Sequence, residues 1–108
     1  MRKISWLFIF LLVATIANYP NPFSPNSGQI TTIECTPDTS STAQLYIFDM
    51  SARLILRKAF NLTAGIVNRT TWNGYSDYNE RVGNGVYPCW IIDSSNRQVG
   101  KGKIWVIN

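Results

Sequence analysis

The stretch "GVYPCWIID", residues 85–93, is rich in β-branched and aromatic residues and is followed by the turn-like "SSN". Successive side chains of a β-strand point to opposite faces of a sheet. The alternation therefore predicts a strand on which Tyr87, Cys89 and Ile91 share the face that meets a core. It also places Trp90 on the opposite face.

Five other runs of this kind are separated by Gly, Asn, Asp, Ser and Pro, and no stretch after residue 17 has the spacing of an amphipathic helix. Alternation recurs at Ile33 and Cys35 and at Leu45 and Ile47. The pattern predicts an all-β fold, a small antiparallel immunoglobulin-like (fibronectin III-like) β-sandwich of six or seven strands. The predicted strands are 29–36, 43–49, 53–61, 66–72, 85–93 and 102–108.

The N-terminus has the composition of a signal peptide. Arg2 and Lys3 precede an apolar run that stops near residue 17, with small residues at Thr15 and Ala17. The run is shorter than the roughly 20 apolar residues that a membrane span needs. We therefore expect a signal peptide over residues 1–17 and one sandwich domain over 18–108. The product would be exported to the periplasm, cell surface or medium, contacting the membrane only through its signal peptide during export.

Composition argues against several function classes. The chain has no histidine, which excludes Ser-His-Asp and Cys-His nucleophilic sites and most zinc sites. The net charge is +4, and without Arg2 and Lys3 eight basic residues face six acidic ones, a net of +2. The basic residues are scattered, whereas a nucleic-acid surface gathers them into a stripe. We expect no enzymatic activity, no cofactor, no metal and no nucleic-acid partner.

The two cysteines, Cys35 and Cys89, lie on the predicted inward faces of an early and a late strand. Export to an oxidising compartment favours a disulfide between them. Immunoglobulin-type domains place their inter-sheet bridge in this relation, with a tyrosine two residues before the second cysteine, as Tyr87 is here. Two buried free thiols acting as small apolar side chains are the alternative.

Five segments, in order and spacing, resemble a known family. They are "NYPNPFSPN" (18–26), "TTIEC" (31–35), "LYIFDMSARLI" (45–55), "LTAG" (62–65) and "WNGYSDYNERVGNGVY" (72–87). Together they resemble the C-terminal sorting domains of the type IX secretion system and the related immunoglobulin-like domain of flagellar hook-capping proteins. The positions that carry the resemblance are Tyr19, Pro20, Asn21, Pro22, Phe23, Trp72, Gly74, Gly85 and Tyr87.

The resemblance implies a non-catalytic module that acts through protein–protein recognition, for secretion or surface attachment, with secretion machinery or surface components as partners. Two departures bear on metal binding. Asn73 and Ser76 stand where the family often has aspartate, so most of the capacity of a cation site formed by those carboxylates would be lost here, and Asp77 alone would be a poor site. We expect the prolines of "NYPNPF" to protect a sheet edge, Gly74 to permit a turn, and Gly85 to permit a close approach.

Trp90 and Trp105 carry a second hypothesis. If the alternation holds, both point outward from neighbouring strands and could stand side by side as a contact for a carbohydrate or a protein. A cross-strand aromatic pair that only stabilises the sheet is the competing interpretation. The second hypothesis is thus a structural or ligand-binding extracellular immunoglobulin-like module.

Overall fold

Two β-sheets face each other in the computed structural model, which describes residues 14–108. One sheet has five strands in the order β1-β8-β7-β4-β5, and the other has three in the order β2-β3-β6. This architecture confirms the predicted β-sandwich. The strands are β1 (Ala14–Thr15), β2 (Ala17–Tyr19), β3 (Thr31–Cys35), β4 (Ala43–Phe48), β5 (Leu54–Ala59), β6 (Asn68–Trp72), β7 (Gly85–Asp93) and β8 (Gln98–Val106).

All six predicted strands are present, as β3 to β8, and they pair antiparallel with one another. Two short strands that the sequence did not predict come first. β1 runs parallel to β8, with Ala14 opposite Gly100, and β2 runs antiparallel to β3, with Ala17 opposite Glu34. Residues 1–13, most of the predicted signal peptide, lie outside the described residues.

The core is formed by the inward faces predicted from alternation. Ile33, Leu45, Ile47, Cys89 and Ile91 have no more than 1% of their surface exposed. The large aromatic side chains of Phe23, Trp72 and Tyr87 are also buried, and they contribute much of the buried apolar area of a domain of this size.

Pro88 lies inside β7, a central strand that pairs with both β4 and β8. The sequence predicts a bulge or an edge at this proline, since proline has no N–H to donate. The structure corrects the detail. Pairing of β7 with β4 ends at Cys89, opposite Ile47, so Pro88 lies just beyond the last paired residue of β4. The bulge between β7 and β8 is instead at Ile91 and Ile92.

The β4–β5 and β7–β8 hairpins are closed by turns of one design. Each begins with an aspartate, Asp49 or Asp93, whose Oδ1 accepts the backbone N–H groups two and four residues later, all at 2.9 Å. In each turn an arginine at the fifth position, Arg53 or Arg97, forms an ion pair with the aspartate. These side chains replace the backbone partners that a tight turn lacks.

Candidate functional site

The motif at residues 19–23 lies along the exposed edge of β8. The Asn21 Oδ1 accepts the backbone N–H of Trp105 at 2.8 Å, and its Nδ2 lies 3.4 Å from the carbonyl oxygen of Lys103. The backbone N–H of Phe23 then donates to the carbonyl oxygen of Trp105 at 3.0 Å. Asn21 and Phe23, rather than the prolines that were expected to protect it, thus supply the hydrogen bonds to this strand edge.

Pro20 and Pro22 flank Asn21 and are exposed. The peptide bonds that join them to Tyr19 and Asn21 are both cis. Because neither proline has an N–H group, this stretch offers few donors to another strand. The segment connects the two sheets, because Tyr19 pairs with β3 of the three-stranded sheet and Phe23 pairs with Val106 of the five-stranded sheet.

Tyr19 is half exposed on the outer face of the three-stranded sheet. Its hydroxyl donates to Glu34 Oε2 at 2.8 Å, and Arg69 Nε donates to the same oxygen at 2.7 Å. The hydrogen bond from Tyr19, followed by that from Arg69, lowers the pKa of the Glu34 carboxyl. Tyr19 therefore docks on the sheet through its hydroxyl, with 50% of the residue's surface exposed.

Three buried aromatic residues join the motif to the rest of the resemblance. The Phe23 and Trp72 rings lie 5.6 Å apart, and the Trp72 and Tyr87 rings lie 5.7 Å apart. Trp72 Nε1 donates to the carbonyl oxygen of Tyr75 at 2.9 Å. The Tyr87 hydroxyl donates to the carbonyl oxygen of Gly83 at 2.8 Å, the arrangement of the tyrosine corner in immunoglobulin-like sandwiches. Burial raises the pKa of Tyr87.

Gly74 meets both requirements that only glycine can satisfy. Its φ is +83°, and a Cβ at this position would lie 2.7 Å from the Cβ of Pro25. Gly85 is different, because the nearest atom to its Cβ position is in Tyr87 at 3.8 Å. The predicted close approach at Gly85 is therefore absent. What requires glycine at this position is the positive φ of +157°, which residues other than glycine rarely adopt.

The side chains at the family positions considered for cation binding accept hydrogen bonds from backbone N–H groups here. The Asn73 Oδ1 accepts the N–H of Tyr75 at 3.0 Å, and the Ser76 Oγ accepts two N–H groups of the same loop. The Asp77 Oδ2 accepts the backbone N–H of Arg57 at 3.0 Å. Within residues 14–108 no group of three or more Cys, Asp or Glu residues is arranged to hold a metal ion.

Cys35 and Cys89 are both buried free thiols, so the structure does not contain the predicted disulfide. The register explains why. Cys35 Sγ lies 3.5 Å from the Cβ position of Gly100, which pairs with Ile91, whereas Cys89 pairs with Gly102. The two cysteines are therefore offset by about two residues along the sheet, roughly 6–7 Å, which exceeds the Cβ separation of a disulfide.

Ile16 fills a slot that the sequence alone did not reveal. It is 5% exposed, and its backbone N–H donates to the carbonyl oxygen of Lys101 at 2.9 Å. A Cβ at Gly102 would lie 2.8 Å from the Ile16 carbonyl oxygen, and one at Gly100 would lie 3.3 Å from its Cγ1. The only sequence signal was the alternation of glycine with lysine in "GKGK", residues 100–103.

Trp90 and Trp105 both point outward, with 42% and 49% of their surface exposed. They do not stand side by side. Trp90 is opposite Lys101 and Trp105 is opposite Val86, so the two indoles are separated by about four residues along the sheet, roughly 13 Å. The aromatic neighbours of Trp90 lie instead on β4, and sequence reasoning missed them.

Parts of several solved structures are similar to this chain. The chain is similar to part of PorZ, described as an essential bacterial surface component of the type-IX secretion system of Porphyromonas gingivalis, with a TM-score of 0.60 and 23% identity over 86% of this chain and 11% of that one. It is also similar to part of dimeric latent PorU from the same organism, with a TM-score of 0.67 and 21% identity over 88% of this chain and 9% of that one.

A third similar structure is the DNA glycosylase AlkC from Pseudomonas fluorescens, with a TM-score of 0.57 and 12% identity over 88% of this chain and 30% of that one. No family model and no curated protein matches the sequence. The chain spans about a tenth of the length of PorZ and PorU. At these identities the likeness shows the fold, which proteins of different function share.

Between residues 14 and 108, no helix is long and apolar enough to cross a membrane.

Proposed function

We propose that this chain is a non-catalytic sorting module of the type IX kind, which partner proteins of a secretion system recognise by its folded surface. The observation that carries the proposal is the position of "NYPNPF". The motif that resembles sorting domains closes the edge of β8 through Asn21 and enters the core through Phe23, next to Trp72.

The similarity to parts of PorZ and PorU supports the same proposal. Sandwiches of this shape occur in proteins from an organism that has a type-IX secretion system. Each is a small part of a much longer chain, as expected for a module that is attached to other domains. On this proposal the chain is exported, and its partners are components of the secretion machinery or of the cell surface.

A reporter assay tests the proposal. Residues 14–108 are fused to the C-terminus of a periplasmic reporter, so that Ile16 stays in its slot. The fusion is produced in a host with a working type IX system and in the same host without it. A second fusion carries an unrelated immunoglobulin-like domain as the control for leakage. Protease resistance of the fused domain shows that it is folded.

We expect reporter at the surface or in the medium only when the type IX system and this domain are both present. Equal release from both hosts would indicate leakage. A folded fusion that stays in the periplasm of the competent host would contradict the sorting role.

The second candidate is an extracellular ligand-binding module, and the exposure of Trp90 and Trp105 favours it. A carbohydrate stacks on exposed aromatic rings. Titration of the chain with neutral polysaccharides, followed by tryptophan fluorescence, tests this candidate. We expect a spectral shift that is lost in Trp105→Ala if a sugar binds there, and no response to any of them would remove the candidate.

A further inference from the structure

The outer face of the five-stranded sheet is aromatic at its centre. The Tyr46 and Phe48 rings stack with an interplanar angle of 8° and a centroid distance of 6.3 Å. Phe48 meets Trp90 edge to face at 5.2 Å. A sheet face that meets water normally carries polar side chains. This cluster, the central aromatic patch, is therefore unusual for a solvent-facing surface.

Basic residues stand on both sides of the central aromatic patch. The strand register places Arg57 on β5 opposite Tyr46, and Lys101 on β8 opposite Trp90. Directly opposite residues in a sheet have side chains on the same face. One row across four strands thus reads cation, aromatic, aromatic, cation. Lys103, opposite Pro88, adds a second cation on the β8 side.

No strand residue of this face is an exposed carboxylate, and an acidic side chain that lies beside it is Asp77, whose Oδ2 accepts the backbone N–H of Arg57 at the β5 edge. Among the residues of β1, β4, β5, β7 and β8, the one acidic residue is Asp93, which is 5% exposed and ion-paired with Arg97. Glu34 lies on the other sheet, and the remaining acidic residues lie in turns and loops. Positive charge is therefore strongest on the β8 side of this face, at Lys101 and Lys103, and would attract an acidic partner.

We propose that this face binds an amphipathic helix of a partner protein, with an apolar stripe bordered on both sides by Asp and Glu. Arg57 and Lys101 are three strand spacings apart, about 14 Å. A helix with its side chains is about 10–12 Å across. A helix lying along β4 and β7 would set its apolar stripe on the central aromatic patch and its acidic borders beside the cations.

The ring contacts favour a helix over a sugar. The Phe48 ring contacts those of both Tyr46 and Trp90, so part of each ring surface is already covered by a neighbouring ring. Sugar binding depends on open ring faces, whereas aliphatic side chains of a helix can pack on the edges of an aromatic cluster. The surface belongs to the folded chain, and the proposal holds whether or not the module directs secretion.

The test uses the full chain and two synthetic helical peptides without tryptophan. Both have the same leucine stripe, bordered by Glu in one peptide and by Lys in the other. Calorimetry measures binding of each at low salt. We expect the Glu-bordered peptide to bind at least about tenfold more tightly than the Lys-bordered one, and to weaken several-fold when salt is raised.

Two charge reversals locate the site. Lys101→Glu changes the proposed surface, and Arg81→Glu makes the same charge change at an exposed position in the loop between β6 and β7, outside the strands of this sheet. We expect Lys101→Glu to reduce binding of the Glu-bordered peptide at least fivefold and Arg81→Glu to change it less than twofold. Circular dichroism shows whether both variants are folded.

Four results would overturn the proposal. They are no binding of either peptide, equal binding of both, an equal effect of the two reversals, and tighter binding of the polyanion polygalacturonate than of the Glu-bordered peptide. The last would assign the face to an acidic glycan. None of these results depends on the reporter assay, so failure of the helix site and failure of the sorting role are distinguishable.

Discussion

Asn21 carries a hydrogen-bond acceptor and a donor on one side chain, the same pair of groups that a strand residue offers to its neighbour. In this chain the pair faces Trp105 and Lys103 on β8. A backbone interrupted by two prolines cannot offer its own N–H groups at those positions. This explains why an asparagine stands between the prolines of the motif.

Gly74 gives the sharpest prediction for a single residue. Gly74→Ala would place a Cβ 2.7 Å from the Cβ of Pro25 at a φ of +83°. Left-handed backbone and overpacking each cost about 1–2 kcal/mol or more. We expect a loss of about 2–4 kcal/mol in the free energy of unfolding, measured by urea titration. Gly83→Ala is the matched control, because its added Cβ would contact nothing within 4 Å, and an equal loss in that variant would contradict the explanation.

The two cysteines predict behaviour that a bridged pair would not show. Burial raises the pKa of Cys35 and raises that of Cys89 to about 12, so both stay protonated at neutral pH. We expect Ellman's reagent to react with both thiols only after denaturant is added, and dithiothreitol to leave Tm unchanged. A disulfide closing a loop of this length would contribute about 4 kcal/mol, so a large fall in Tm on reduction would show that the bridge forms after all.

At the scale of elements, Ile16 is the buried side chain that lies between the first two strands. Ile16→Ala removes buried methyl groups from the slot beside Gly100 and Gly102, which should cost about 2–4 kcal/mol. The control is Ile107→Ala. Because Ile107 is 56% exposed, this substitution should lower the free energy of unfolding by less than about 0.5 kcal/mol. Thermal unfolding compares the two. Similar values would mean that the segment is not part of the cooperative fold.

The same contact bears on the predicted processing site. Cleavage after Ala17 would remove β1 and Ile16 from the sandwich, although Asn18 and Tyr19 would still pair with β3. A chain cut at that point should therefore be less stable than one that begins at Ala14, by about the cost of Ile16→Ala or more. Thermal unfolding of the two forms measures the difference.

The two Asp-initiated turns form an internal comparison at the same scale. Their fourth residues are Ala52, with φ of +66°, and Asn96, with φ of +63°. Asparagine enters this region more readily than alanine. We expect Ala52→Asn to stabilise the protein by about 0.5–1 kcal/mol and Asn96→Ala to destabilise it by a similar amount, measured by urea titration. Changes of the same sign in both variants would contradict the comparison.

At the scale of the molecule, alternation in the six long runs was sufficient to predict the sandwich and most of its core. It did not predict that residues 14–17 pack on the sandwich, because they end an apolar run and have the composition expected of a cleavage site. It also failed for the cysteines. Whether a side chain faces the core depends on the alternation within its own strand. The distance between the two sulfur atoms depends on how the two sheets are aligned, and the position of Cys35 beside Gly100 becomes known only from the three-dimensional structure.

Alternation also predicted only part of the surface that contains the central aromatic patch. Alternation placed Trp90 and Trp105 on the outer face, and the structure agrees. The neighbours of Trp90, namely Tyr46, Phe48 and Lys101, depend on which strands adjoin β7, and a single sequence does not state strand order. Outward direction is a local property, whereas composition of a patch is a property of the whole sheet.

Three carboxylates on different parts of the molecule are expected to make the folded state less stable at low pH. Hydrogen bonds from backbone N–H groups lower the pKa of Asp49 and of Asp93, and hydrogen bonds from Tyr19 and Arg69 lower that of Glu34. A carboxyl whose pKa is lower in the folded state than in the unfolded state stabilises the fold above its ordinary pKa. This contribution is lost as the pH falls below about 4 and through the lower folded values.

Asp93→Asn tests this response, because the carboxylate is buried, accepts two backbone N–H groups and pairs with Arg97 at 3.1 Å. Urea titrations at pH 7, 5 and 3 should show the variant less stable than the wild type at pH 7, with the difference shrinking towards pH 3 as the wild-type carboxyl is protonated. Asp38→Asn removes the same charge from an exposed position and shows what net charge alone contributes. A difference between Asp93→Asn and the wild type that stays constant across the three pH values would mean that the ionised carboxylate is not what stabilises the turn.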